Sequence, residues 1–372
     1  MPFQRLPKSI QKILHAQGFN EPYPIQSEAI PLVLEGRDVL AIAKTGSGKT
    51  ASYVLPVLTN LIGKTALKNR QVKVLVLVPT RELAIQVSDV FVLFAEKLPE
   101  PVKTLSVYGG VSINPQMKAM RGVHILVATP GRLLDLVDSN ALQLGSVDTV
   151  VLDEADKMLN LGFKDEMRRI FEKLPAKRQN LLFSATLSPD LSGITDVLLQ
   201  DPAVIKIEEK EEEEVLINQR AFLVEDDRKG PLLRTLIKEN DWQQVLVFTS
   251  SVYKADQVAN KLRKNDIDAE SIHSKKSQGA RKQNLARFKS GGLRVLVATD
   301  LLSRGIDIEV LPYVINYELP RSPKDYIHRI GRTGRAGASG EAISFVTEAD
   351  RHHFKVIQKK MGTWVEYERE EI

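Results

Sequence analysis

The chain has 372 residues, and this length predicts two domains at about 150 residues per domain. Its composition, 43% hydrophobic and 27% charged, is typical of a globular protein, and its lack of cysteine excludes disulfides, cysteine-ligated zinc, iron–sulfur clusters and a cysteine nucleophile. The formal net charge of +5 permits nucleic acid as a partner but does not establish it.

Short apolar runs recur along the chain, and each ends in polar, glycine or proline residues. They are Val39–Gly46, Val74–Thr80, Ile125–Gly131, Val150–Asp156, Leu181–Thr186, Val245–Ser250, Val295–Asp300, Val314–Pro320 and Ala342–Thr347. Continuous runs of this kind are typical of strands buried on both faces of a parallel sheet. Amphipathic helical patterns such as Glu82–Ala95 and Ser251–Asn265 lie between them, which predicts an α/β fold. Ligands in such folds bind beyond the carboxyl ends of the strands.

The two halves of the chain resemble each other, since ILVATPGRLLD in the first has the pattern of VLVATDLLSRGID in the second. The acidic tract Glu208–Val215 lies between them. Like charges at this density extend the backbone, so we interpret the tract as a linker; the alternative is the solvated end of a helix. This predicts domains at residues 1–207 and 216–372, joined by a linker at 208–215.

The segment AKTGSGKT lies between a predicted strand and a predicted helix, and its glycines let backbone N–H groups approach phosphate oxygens. Its first residue replaces the first glycine of the usual phosphate-loop pattern. Lys49 would reach the β- and γ-phosphates, and the Thr50 hydroxyl would coordinate Mg²⁺. The predicted phosphate-binding residues are Ala43, Lys44, Thr45, Gly46, Ser47, Gly48, Lys49 and Thr50.

The run VVLDEAD ends in carboxylates of the kind that a nucleoside triphosphatase uses to hold Mg²⁺ and to position water. Asp153 is the predicted metal ligand, and Glu154 is predicted to orient or deprotonate the attacking water. An acidic pair at a strand end also fits a helix N-cap with a solvated neighbour. The phosphate loop in the same half of the chain favours the catalytic interpretation.

The segment His328–Gly337, HRIGRTGRAG, places three arginines among glycines. One interpretation is a basic surface loop. The other is a set of arginine fingers that the second half donates to a nucleotide held by the first, an effect worth about 10³ to 10⁵ in rate. The second interpretation predicts that hydrolysis requires the two domains to close.

These motifs, in this order from Phe3 to Gly337, resemble the DEAD-box ATP-dependent RNA helicases of superfamily 2, and the later motifs most resemble bacterial RhlE-type members. The resemblance implies two tandem RecA-like domains, each with a mostly parallel sheet flanked by helices. It also implies ATP and Mg²⁺ as cofactors, RNA as the partner and a monomeric core.

The resemblance assigns further nucleotide contacts to the segment GFNEPYPIQ and to the second half of the chain. Phe19 would stack on adenine, and Gln26 would hydrogen-bond to its edge. Asp307 would contact the ribose, while Arg332 and Arg335 would lie near the γ-phosphate.

The resemblance also implies RNA contacts in both halves of the chain. They are Pro79, Thr80, Arg81, Gly109, Gly110, Thr129, Pro130, Gly131 and Arg132 in the first half, and Thr249, Gln278, Arg281 and Thr299 in the second. Few aromatic residues lie among them, so we expect backbone binding that is largely independent of sequence. Coupling between the nucleotide and strand separation would involve Asp156, Ser184, Thr186 and His328, with the SAT segment bonded to Asp156.

The predicted function is therefore ATP-driven local separation of short RNA duplexes. The alternative from a different class is an ATP-dependent RNA clamp or assembly scaffold that unwinds little. A DNA translocase is disfavoured because its motifs differ from DEAD and PTREL, and a transport ATPase because no LSGGQ-type signature is present. No apolar segment is long enough to span a membrane and the start of the chain does not resemble a signal peptide, so the predicted location is the cytoplasm.

Overall fold

The structure is a computed structural model that describes residues 2–19, 21–44, 46–64, 70–96, 98–187, 189–207, 217–300, 311–334 and 340–369. The chain divides into two units, Met1–Glu209 and Lys210–Ile372, and the division falls within the predicted linker. Residues 208–215 lie outside the described residues, so the linker and the exact domain bounds stay predictions. In the described part of the chain, no helix is both long and apolar enough for a membrane span.

The first unit is built on a parallel sheet. Its seven strands are β1 Val39–Ile42, β2 Val74–Leu77, β3 Thr104–Val107, β4 Ile125–Ala128, β5 Thr149–Leu152, β6 Gln179–Ser184 and β7 Ala203–Lys206. They are hydrogen-bonded in the order β3-β4-β2-β5-β6-β1-β7, and every pair is parallel. All residues of β2, β4 and β5 are buried, which explains their continuous apolar sequences.

Helices cover both faces of this sheet. After a short 3-10 helix at Pro2–Arg5, they are α1 Lys8–Ala16, α2 Pro24–Leu34, α3 Lys49–Leu61, α4 Arg81–Ala95, α5 Ile113–Ala119, α6 Pro130–Asp138, α7 Ala155–Asn160, α8 Lys164–Phe171 and α9 Pro189–Leu198. Alternate residues of β2 enter different hydrophobic clusters: Val74 and Val76 pack on one face of the sheet, and Leu75 and Leu77 pack on the other.

The second unit repeats this architecture. Its strands are β8 Ile217–Leu223, β9 Val245–Thr249, β10 Ala269–Ile272, β11 Val295–Thr299, β12 Tyr313–Asn316, β13 Gly340–Val346 and β14 Tyr367–Arg369. Its helices are α10 Lys229–Glu239, α11 Val252–Arg263, α12 Gln278–Lys289, α13 Pro323–Ile330 and α14 Arg351–Met361. The strand order, β10-β11-β9-β12-β13-β8-β14, is that of the first unit with every number raised by seven. The similar segments ILVATPG and VLVATD form β4 and β11, which occupy equivalent places in the two sheets.

All nine predicted strands are present, and the predicted fold class of two mostly parallel sheets flanked by helices is confirmed. The five strands that the apolar pattern missed are β3, β7, β8, β10 and β14. Four of them lie at the edges of the sheets, where one side of the strand has no neighbour and a continuous apolar run is not required. The fifth, β8, is polar because Arg220 forms ion pairs with Glu341 of β13 and Glu368 of β14.

Candidate active site

The predicted phosphate loop joins the end of β1 to the start of α3. Gly46 and Gly48 have φ values of +84° and +86°, a left-handed conformation that glycine adopts without steric cost. Gly48 is the N-cap of α3, so the free N–H groups of the first helical turn begin at the loop. Thr45 lies outside the described residues. The described part of the loop therefore combines left-handed glycines with the N-terminus of a helix, two features that favour phosphate binding.

The Lys49 side chain bends back beneath this loop. Its Nζ donates to the backbone oxygens of Ala43 at 2.5 Å and Lys44 at 2.7 Å, while Ser47 Oγ also donates to Lys44 O at 2.8 Å. An ammonium group has three hydrogens, so Lys49 keeps a donor for a phosphate oxygen. Burial lowers the pKa of Lys49, and the nearby Asp153 and Glu154 carboxylates act in the opposite direction.

The two acidic residues follow β5; Asp153 is buried and Glu154 is half-buried. Asp153 is only 2% exposed, and burial raises the pKa of both the Asp153 and the Glu154 carboxyl groups. Glu154 Oε1 accepts a hydrogen bond from Lys157 Nζ at 2.5 Å, whereas Oε2 is buried and has no hydrogen-bond partner among the described residues. Glu154 has a φ of +54°, a conformation that costs a non-glycine residue about 1 to 2 kcal/mol. A strained carboxylate with an unused, buried oxygen is typical of a reacting position.

Two side chains that the sequence analysis did not single out hold these carboxylates. Tyr53 OH donates to Asp153 Oδ2 at 2.8 Å, and Lys157 pairs with Glu154. The spacing in the sequence could have indicated both residues. Tyr53 lies four residues after Lys49 in α3, and Lys157 lies three residues after Glu154. Both spacings place two side chains on one face of a helix.

The residues present fit a nucleotide phosphate and a hard divalent cation. A glycine is needed at position 48 because a Cβ there would lie 2.6 Å from Gln26 Nε2. The Asp153 carboxylate and the Thr50 hydroxyl are oxygen donors of the type that Mg²⁺ prefers. No group of three or more His, Cys, Asp or Glu residues suited to a metal occurs in the described residues, so a cation would depend on few protein ligands.

The predicted adenine-binding residues lie beside the same loop. Gln26 is fully buried; its Oε1 accepts from Tyr23 N at 3.0 Å, and its Nε2 donates to Gly48 O at 3.3 Å. The amide keeps one donor and one acceptor for a base edge. Phe19 is half-buried and meets the ring of Phe94 edge-on at 6.4 Å. Gln26 thus connects the predicted base site to the phosphate loop.

The hydrogen bond expected for the SAT segment is present. Thr186 Oγ1 donates to Asp156 Oδ2 at 2.9 Å, and Ser184 Oγ donates to Thr186 O at 2.8 Å. These bonds connect the end of β6 to the helix that carries the acidic motif. The role of the three residues in coupling stays a prediction.

The predicted RNA contacts of the first unit follow three adjacent strands, β3, β4 and β2. Pro79 and Thr80 follow β2, and Thr80 caps α4 by accepting a hydrogen bond from Leu83 N at 3.3 Å. Gly109 and Gly110 follow β3 and are exposed. Arg81 is the first residue of α4, after β2, and the residues that follow β4 are Thr129, Pro130, Gly131 and Arg132. The nucleotide residues follow β1 and β5 and the coupling segment follows β6, so the two sets occupy different halves of one sheet edge.

Two arginines of this set differ in exposure. Arg81 is half-buried beside Gly110, whose hypothetical Cβ would lie 3.1 Å from Arg81 Nη1. Arg132 is 8% exposed; its Nη2 donates to Val111 O at 2.8 Å and its Nε to Asp135 at 3.2 Å. Its Nη1 is buried without a hydrogen-bond partner among the described residues. Arg132 therefore supports the loop that carries the two glycines, and direct RNA contact by it stays a prediction.

The RNA residues predicted for the second unit have the equivalent arrangement, after β10, β11 and β9. Thr249 and Thr299 end β9 and β11, and Gln278 and Arg281 lie in the first turn of α12. Thr249 and Arg281 are buried. The adjacent Ser250 donates through both N and Oγ to Glu318 Oε2, each at 2.7 Å. Glu318 is thus a loop support that sequence reasoning missed.

The arginine-rich motif begins in α13, where His328 lies in the last turn and Arg332 follows the helix. Asp307 and Arg335 lie outside the described residues. Arg329 is fully buried, and its guanidinium donates to both oxygens of Asp300 at 2.5 and 2.8 Å and to Asn316 at 3.0 Å. Arg329 therefore has a structural role within the second unit. This role differs from that of Arg332 and Arg335, which are predicted to reach a nucleotide.

The contact between Gly48 and Gln26 gives a test of the loop geometry. We expect Gly48→Ala to lower the free energy of unfolding by about 2 to 4 kcal/mol, since a left-handed alanine and a 2.6 Å contact are both unfavourable. The matched control is Gly36→Ala, where φ is +77° but no atom lies within 4 Å of the added Cβ. It should lose only about 1 kcal/mol. Equal losses in urea unfolding would contradict the proposed packing of Gln26 against the loop.

Comparisons with known proteins agree with this geometry. Residues 23–194 match the family model of the DEAD/DEAH box helicase, and residues 228–337 match that of the helicase conserved C-terminal domain. The ATP-dependent RNA helicase CshA of Listeria monocytogenes is 40% identical over 95% of this chain and 67% of its own length. The DEAD-box ATP-dependent RNA helicase CshA of Geobacillus kaustophilus is 39% identical over 95% of this chain and 76% of its own length.

A solved structure of Saccharomyces cerevisiae Dbp5 bound to RNA and ADP BeF3 has 29% identity and a TM-score of 0.83, and the match covers 98% of this chain and 94% of the Dbp5 chain. The first family model covers the phosphate loop and the carboxylates of Asp153 and Glu154, and the second covers the arginine-rich motif. The chain therefore belongs to the DEAD-box ATP-dependent RNA helicases.

Proposed function

We propose that the chain hydrolyses ATP with Mg²⁺ and uses the resulting cycle to separate short RNA duplexes locally. The observation that carries this proposal is the cluster of Lys49, Asp153 and Glu154 beside the phosphate loop, in which Lys49 and Asp153 are buried. Its lysine ammonium group suits the negative phosphates, and its carboxylates suit a divalent metal ion. The ends of the neighbouring strands carry the predicted RNA residues.

Asp153 and Thr50 would hold Mg²⁺, which when bound neutralises charge on the phosphates. Lys49 would donate to the β- and γ-phosphate oxygens. Glu154 would accept a hydrogen bond from the attacking water through Oε2, the oxygen without a partner among the described residues. Phe19 and Gln26 would select adenine. The exclusion of bulk water from these buried groups strengthens each interaction in the transition state.

The remaining catalytic groups belong to the second unit. Arg332 and Arg335 would neutralise charge on the γ-phosphate, and Asp307 would contact the ribose. His328 would couple nucleotide binding to strand separation. Because the phosphate loop lies in residues 1–209 and these side chains in 210–372, hydrolysis would require closure of the two units. The cytoplasmic location stays a prediction.

RNA binding would be directed at the sugar–phosphate backbone. The supporting feature is the chemistry of the predicted contacts, which are threonines, glycines, arginines, two prolines and one glutamine, without an aromatic platform. Closure on a bound strand would bend it, and a bent strand is incompatible with an A-form duplex. Dbp5, to which the chain is similar, has been solved with both RNA and ADP BeF3.

Glu154→Gln tests the hydrolytic role. We expect kcat for ATP to fall by about 10² to 10⁴, because the amide accepts the water's proton poorly, while ATP affinity changes less than about threefold. The control is Glu166→Gln, a substitution of a half-buried glutamate on α8, which should leave both constants unchanged. Turnover at the wild-type rate in Glu154→Gln would show that another residue positions the water.

Salt dependence tests the RNA model. We expect the chain to neutralise about five or six phosphates, each of which contributes about −0.7 to the slope of log binding constant against log salt concentration for single strands. The slope should therefore be near −4. Two unrelated single strands of equal length should give the same slope. Arg81→Ala should reduce it by about 0.7, whereas the exposed Arg168→Ala should not. Binding that is insensitive to salt, or confined to one sequence, contradicts backbone recognition.

A further inference from the structure

The side chain of Tyr53 contacts Asp153, one of the two residues proposed to hold the metal. Its hydroxyl donates to Asp153 Oδ2 at 2.8 Å. Thr50 and Tyr53 are neighbours on one turn of α3, whereas Asp153 belongs to the end of β5, 100 residues further along the chain. One tyrosine hydroxyl therefore connects two elements of the site.

The position of this hydroxyl is fixed by packing. Tyr53 is fully buried, and its ring meets Phe183 of β6 at 5.1 Å and Phe91 of α4 at 6.3 Å. A ring held from two directions cannot move its hydroxyl without disturbing the core. A phenol is neutral at neutral pH, so its hydroxyl serves as a hydrogen-bond donor.

We propose that Tyr53 is a positioning residue for the metal site, and that its hydroxyl fixes the orientation of the Asp153 carboxylate toward Mg²⁺. The proposal rests on the metal site of the proposed function. Asp153 is 2% exposed, so few alternative donors from solvent reach it. Partners that orient a metal-ligating carboxylate change metal affinity when they are removed, by about 10- to 100-fold.

Tyr53→Phe separates this role from a purely structural one. The ring and its contacts with Phe91 and Phe183 are retained, and only the hydroxyl is lost. A structural role would change the unfolding temperature alone, whereas a positioning role changes the response of nucleotide binding to Mg²⁺. The control is Tyr326→Phe, which removes another buried hydroxyl, 2.9 Å from Ser344 in the second unit.

The measurement is the affinity for a fluorescent ADP analogue, titrated with Mg²⁺ and repeated in EDTA. For Tyr53→Phe we expect the Mg²⁺ concentration at half effect to rise about tenfold, with affinity in EDTA within about twofold of the wild type. Tyr326→Phe should match the wild type in both. In an Asp153→Asn background, Tyr53→Phe should have no further effect, because the carboxylate through which it acts is gone.

Two results overturn the proposal, and they are distinguishable. If the wild type responds to Mg²⁺ and Tyr53→Phe responds at the same concentration, Tyr53 has no positioning role while the metal site stands. If the wild type itself binds the analogue equally well in EDTA and in Mg²⁺, the proposed metal site fails and the role of Tyr53 fails with it.

Discussion

The burial of Lys49 together with the carboxylates of Asp153 and Glu154 is the interaction on which the site depends. Burial alone lowers the pKa of the lysine and raises the pKa of both acids, so each charge by itself is unfavourable in this environment. Together the charges compensate one another, and hydrogen bonds from Tyr53 and Lys157 satisfy part of their remaining capacity. Bound phosphates would add negative charge beside Lys49, and a bound metal ion would add positive charge beside the carboxylates.

The parallel sheet makes this juxtaposition possible. β1 and β5 are separated only by β6, so the phosphate loop, the SAT segment and the acidic motif emerge next to one another at the carboxyl ends of three adjacent strands. The predicted RNA residues follow the other strands of the same edge. The hydrogen bond between Thr186 and Asp156 lies within the half of this edge that carries the predicted nucleotide residues. The second unit repeats the strand order, so the RNA residues predicted for it follow the equivalent strands.

Much of the fold could be predicted from the sequence because buried parallel strands are continuously apolar and end in the residues that carry chemistry. The phosphate loop and the carboxylates of Asp153 and Glu154 were identified in this way. Contacts between distant segments could not be predicted, since apolar periodicity shows that a strand is buried but not which strands are its neighbours. The spacing of Tyr53 from Lys49 places it on the loop-facing side of α3, but the strand order is needed to bring Asp153 to its hydroxyl. Likewise, the sequence shows Arg329 as one of three similar arginines, whereas the structure buries it against Asp300.

The most direct test of the account is multiple-turnover separation of a short RNA duplex. With ATP and Mg²⁺ the chain should separate many duplexes per protein molecule, and Lys49→Ala should reduce the rate by about 10² or more because the phosphate contact is lost. A chain that holds RNA in the presence of ATP, yet separates duplexes no faster than they dissociate spontaneously, would contradict the account and identify an RNA clamp instead.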